Sequence, residues 1–164
     1  MKTTSYKTKN DLSEKTRGAM IELLNQELAN VIDLSLQTKQ AHWNVKGPHF
    51  IALHELFDDI NEDVASYVDE VAERAVQLGG IAKGTVGAVA AGTRLTAYPV
   101  TICDGLAHVE ALSEVLSAFG RGARKAIDTA AQAGDADTAD LFTEISRGID
   151  KWLWFVEAHL QAKR

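Results

Sequence analysis

Between the Gly47-Pro48 break and the Gly79-Gly80 pair, residues 49 to 78 contain neither glycine nor proline, and their apolar residues recur at helical spacing. Pro48 suits the first turn of a helix and the paired glycines end one, which predicts a single helix over about residues 48 to 78. Such a helix is about 45 Å long. Only two prolines occur in the 164 residues, and Ala, Leu, Glu and Lys dominate the segments between breaks, so helix is favoured throughout and the fold class is all-α.

On a helical wheel with His54 at zero, Asp58, Asp69 and Glu73 fall at about 40°, 60° and 100°. Leu53, Leu56, Phe57, Ile60, Val64, Tyr67, Val68, Val71 and Leu78 gather instead between about 200° and 320°. The imidazole and the carboxylates therefore lie opposite the core stripe. Ile51, Ala65, Ala72 and Val76 fall among them, and small residues there would let another helix approach closely.

His54 with Asp58 and Asp69 with Glu73 are two i,i+4 pairs, separated by about 16 Å along the axis between Asp58 and Asp69. One metal ion cannot touch both pairs of one chain. Two copies of the helix packed antiparallel about a two-fold axis would bring the first pair of one chain against the second pair of the other. His42, at the end of the preceding helix, could add a fifth ligand. Imidazole with carboxylate suits iron, zinc or manganese, and the lack of a thiolate argues against a closed structural zinc site. The same pattern also fits a solvated acidic face with two incidental histidines.

Only Pro48 and Pro99 interrupt the chain as prolines, and 46% hydrophobic with 24% charged residues describes one ordinary globular domain, here residues 11 to 164. The preceding residues 1 to 10 are polar, carry Lys2, Lys7 and Lys9 without an acidic residue, and read as a flexible basic tail. The single cysteine, Cys103, cannot form an internal disulfide, and the start of the chain lacks the apolar core of a signal peptide. A reducing cytoplasm is expected, with no membrane partner. The net charge of −6 weighs against a nucleic-acid-binding body and suits attraction of cations.

Asp11, three residues before Glu14, marks the expected start of a first helix whose stripe of Met20, Leu23, Leu24, Leu28, Val31 and Leu34 leads to His42. Residues 79 to 100 are irregular and glycine-containing, and are expected to cross one end of a bundle. Their glycines lack the order of a phosphate loop. A third helix is expected over about 104 to 132, with His108 near its start as a structural residue. Leu141, Ile145, Ile149, Trp152, Val156 and Leu160 define a fourth. Its first turns carry Asp135, Asp137, Asp140 and Glu144, which act as caps and dipole partners or, if symmetry gathers several copies, line a negative pore for cations. Four long helices and one long connection make a ferritin-like bundle with a long crossover, yet no Glu-x-x-His occurs to build a di-iron centre inside it.

DLSLQTKQAHWNVKGPHF, the following HELFD, DEVAERAVQLGG and DKWLWFVEAHL together resemble the Dps family, the starvation-induced DNA-binding proteins or mini-ferritins, and the likeness runs from about Asp11 to the end. The resemblance implies a four-helix subunit with a short extra helix in the crossover. It further implies a twelve-subunit shell, built from two-fold dimers, that oxidises ferrous iron and stores it as ferric mineral. It places ferroxidase ligands at His42, His54 and Asp58 of one chain and Asp69 and Glu73 of its neighbour. Trp43 would stand near the iron as an electron donor or pack as an ordinary aromatic. Hydrogen peroxide is the implied oxidant, with zinc or manganese as substitutes for iron. The family also invites a second function, DNA binding in the bacterial cytoplasm or nucleoid through Lys2, Lys7 and Lys9, helped by Lys163 and Arg164.

Overall fold

The computed structural model describes residues 6–162, which form five helices: α1 (Glu14–Asn44), α2 (Phe50–Gln77), α3 (Val86–Gly92), α4 (Gly105–Ala133) and α5 (Ala136–Glu157). The four long ones pair as α1 with α2 and α4 with α5, each pair joined by a tight turn and therefore antiparallel, and α1–α4 and α2–α5 contacts close the bundle. Among the described residues the extended backbone amounts to one isolated bridge between Lys46 and Asp104.

The turns follow from local chemistry. Gly134 takes φ 78°, a left-handed conformation that ends α4, and its N–H bonds the Ala130 and Ala131 carbonyls. Asp135 then caps α5, accepting from the Thr138 amide. At the start of α1 the cap is Ser13, whose hydroxyl accepts from the Thr16 N–H at 3.1 Å, rather than Asp11. A hydroxyl one residue before the helix reaches that amide.

Leu24, Leu28, Val31 and Leu34 of α1, Leu53, Phe57, Ile60, Val64 and Val71 of α2, Leu112, Leu116 and Phe119 of α4, and Phe142, Ile145 and Ile149 of α5 are all buried. The stripe expected on α2 is thus the face that meets the core.

The crossover differs from the expectation that it spans one end of the bundle. Asn25 Nδ2 donates to the Ile81 carbonyl (3.0 Å), Gln26 Nε2 to Gly92 (2.7 Å) and Gln37 Nε2 to Thr96 (3.1 Å). Asn30 accepts from the Arg94 N–H, and Asp33 from the Thr93 hydroxyl. Residues 26, 30, 33 and 37 share one face of α1, so the connection is laid along about 17 Å of that helix. These side chains satisfy backbone groups that an irregular segment would otherwise leave unpaired.

Tyr6 is tied to the body, its N–H donating to the Gly79 carbonyl at 2.7 Å, while Thr8 and Asn10 accept locally from the Asn10 and Leu12 amides. Gly79 has φ 88°, and a Cβ there would lie 2.6 Å from the Tyr6 carbonyl oxygen, so the glycine makes room for the docked strap. Lys7 and Lys9 remain exposed on it, whereas Lys2, Lys163 and Arg164 lie outside the described residues.

Candidate metal centre

The last turn of α1 and the first turns of α2 meet across the Gly47 turn, where φ is 113° and the Phe50 N–H bonds the Gly47 carbonyl. This brings His42 against His54: the imidazoles stack with centroids 3.7 Å apart and planes 23° apart. His42 Nδ1 donates to the His54 carbonyl at 2.8 Å, and His54 Nδ1 donates to the His42 carbonyl at 2.9 Å. A carbonyl can only accept, so in both neutral rings the proton sits on Nδ1 and the Nε2 lone pair is left for a ligand. Fixing a tautomer through the remote nitrogen is how metal-binding histidines are held.

Asp58, one turn after His54, is paired with Lys39 of α1. The hydrogen bond from the Lys39 ammonium holds its carboxyl below the usual aspartate range. Asp58 is therefore a carboxylate, already matched to a cation. Lys39 carries no signal in the α2 pattern; its position one turn before His42 on α1 is the feature that points to it.

Asp69 and Glu73 lie exposed farther along α2, on the same side of the helix as His54 and Asp58 but beyond their reach. Among the described residues, no group of three His, Cys, Asp or Glu side chains within one chain is placed to hold a metal ion. Large apolar side chains are also exposed on α1 and α2, with Leu36 58%, Ile51 60% and Val76 55% exposed. Trp43 is 66% exposed.

The carboxylates at the start of α5 divide. Asp135 is 2% exposed, receives Arg74 Nη2 at 2.7 Å and accepts from the Thr138 hydroxyl at 2.6 Å. It is an internal ion-pair partner and helix cap, which removes it from the candidate pore set. Asp137, Asp140 and Glu144 are exposed and share one face of α5. His108 is fully buried, as expected of a structural residue, and bonds Tyr98. No helix among the described residues is long and apolar enough to cross a membrane.

The Ferritin-like domain family matches residues 21–164. The DNA protection during starvation protein of Agrobacterium fabrum is 52% identical over 159 residues, covering 97% of this chain and 98% of the relative. The protein of the same name from Mycolicibacterium smegmatis is 38% identical over 151 residues, covering 92% and 82%. Among solved structures, DpsA14 from Streptomyces coelicolor superposes with a TM-score of 0.92 at 38% identity over 98% of this chain and 95% of that one.

Proposed function

The chain belongs to the Dps family of ferritin-like proteins, and on that footing we propose that it is a mini-ferritin that oxidises ferrous iron at sites shared between two-fold-related subunits. The observation that carries this reading is the His42–His54 pair: two stacked imidazoles whose Nδ1 atoms are both tied to carbonyls, so that both Nε2 atoms are free to bind metal. Asp58 stands one turn from them. The apolar face bearing Leu36, Trp43, Ile51 and Val76 supplies the surface for a second copy. That copy's Asp69 and Glu73 complete the site.

Ferrous ion is the substrate. Two ferrous ions give one electron each to hydrogen peroxide, which takes up two protons and leaves as two waters. Asp58 and Glu73 are the carboxylates that bridge or share the ions, and the histidines hold the more labile one. Trp43 would serve as a local electron donor or as a sink for a stray oxidising equivalent. Asp137, Asp140 and Glu144 would line entry pores in a dodecameric shell, within which ferric mineral accumulates. Zinc and manganese would compete for the same donors.

The test loads the iron-free protein with ferrous ion without oxygen, adds peroxide and follows ferric absorbance together with hydroxyl-radical spin adducts. Ferric ion should appear faster than in buffer, with fewer adducts; a rate equal to that of buffer would sink the reading. Lys39 gives a second handle: Lys39→Ala removes the resident cation from Asp58 and should tighten anaerobic ferrous binding severalfold by calorimetry. Unchanged or weaker binding would show that the ammonium does not compete with the metal.

DNA compaction is the second reading, favoured by exposed Lys7 and Lys9 and by the name of the relatives. The Tyr6 bond to Gly79 anchors the chain beside them, and the net charge of −6 opposes duplex binding. Any gel shift at low salt should vanish on deletion of residues 2 to 9 while ferroxidation persists.

A further inference from the structure

Tyr98 lies in the crossover beyond α3, and His108 lies in the first turn of α4. The phenol Oη is 2.6 Å from His108 Nδ1, with the rings stacked at 18° and 6.0 Å between centroids. His108 is fully buried and tilts against Phe57, the neighbour of Asp58 in α2, at 6.5 Å between centroids.

Burial holds the imidazole below the ordinary histidine range, and the Asn44 carbonyl opposes this from the end of α1. The ring is therefore neutral at physiological pH. The Asn44 carbonyl beside the ring can only accept, so the imidazole proton sits on Nε2, which is buried and makes no hydrogen bond of normal geometry, and Nδ1 is left to accept from the phenol. Burial also raises the Tyr98 phenol above its usual range, so it does not ionise by itself. A neutral phenol hydrogen-bonded to a neutral buried base can release its proton when it also releases an electron, since oxidation makes a phenol strongly acidic.

We propose that Tyr98 is a site of one-electron oxidation, giving up an electron while its phenolic proton crosses to His108 Nδ1, so that a neutral tyrosyl radical is held beside an imidazolium. With hydroxyl radical as the oxidant, the transferred electron and one proton from solvent convert the radical to water. A later ferrous ion returns one electron and becomes ferric, and the proton passes back from His108 to the phenolate oxygen. The pair thereby captures an oxidising equivalent that would otherwise attack the core or a bound partner. The source of that oxidant, ferrous ion with peroxide, rests on the ferroxidase reading; the chemistry of the residue pair does not.

The test needs no iron. The full-length iron-free protein is oxidised with azide radical, and the product is followed optically and by electron paramagnetic resonance of frozen samples. The chain has three tyrosines, Tyr6, Tyr67 and Tyr98. Most of the tyrosyl signal should disappear in Tyr98→Phe and persist in Tyr6→Phe and Tyr67→Phe. In the native protein the radical should show a strongly coupled exchangeable proton by electron–nuclear double resonance. His108→Gln, which accepts a hydrogen bond but not the proton, should lose that coupling and shorten the radical lifetime severalfold. A signal that survives Tyr98→Phe, a native radical with no exchangeable proton coupling, or a His108→Gln radical of unchanged lifetime would overturn the proposal. Because iron is absent throughout, failure here leaves the ferroxidase reading untouched.

Discussion

His54→Ala/Asp58→Ala should lower peroxide-driven ferric formation by at least about a hundredfold, because losing a single outer-shell partner of a metal ligand already costs about 10–100-fold. The double change removes one imidazole and the carboxylate one turn away, and it deprives His42 of the carbonyl-matched ring that stacks on it. Neither side chain is fully buried, so the bundle should assemble with native mass. Fast oxidation that collapses in the variant at unchanged assembly mass is the expected pair of results. Equal rates would mean that the stripe on α2 is not the oxidation centre, and shell formation or DNA binding would become the leading account.

Arg74→Ala should destabilise the fold by about 3–5 kcal/mol, the usual consequence of stripping one partner from a buried ion pair. Arg74 closes the far end of the bundle: Nη2 meets Asp135 at 2.7 Å, Nε donates to the Thr138 hydroxyl at 2.9 Å, and Thr138 in turn donates to Asp135. Asp135 is 2% exposed and would be left as an uncompensated buried carboxylate. In a chain of this length the loss corresponds to a melting shift of about 6–20 °C, read at fixed protein concentration because assembly also contributes. Arg74→Met/Asp135→Asn, which removes both charges and keeps the helix cap, should recover a large part of the loss. A melting point unmoved by Arg74→Ala would show that the ion pair adds nothing to the fold.

The long helices were legible because their cause is written locally. The run from Pro48 to Gly79 has one breaker at each end and one apolar stripe, and α2 occupies Phe50–Gln77. The face bearing His54, Asp58, Asp69 and Glu73 was legible for the same reason, since a helix converts spacing into direction. What escaped notice depends on contacts between distant segments. Asn30 and Asp33 look like ordinary surface residues of α1 until Thr93 and Arg94 lie along them. Asp135 looks like one more member of an acidic cluster until Arg74, sixty-one residues earlier, reaches it. Tyr6 and its neighbours look like a free tail until Gly79 adopts the conformation that admits them. Lys39 belongs to the same class, because its meaning comes from Asp58 on the next helix. Each of these polar groups takes its role from a partner that no local period announces.

The sharing of each site between two chains can be tested by complementation. A His54→Ala/Asp58→Ala chain and an Asp69→Ala/Glu73→Ala chain, each inactive alone, are co-assembled, and peroxide-driven ferric formation is measured. A mixed dimer would hold one site with all its ligands and one with none of the four, so random pairing should restore about a quarter of the native rate. Recovery near that level, absent from either variant alone, is the predicted result; a mixture as inactive as its parents, despite verified mixed assembly, would contradict a site built across the two-fold.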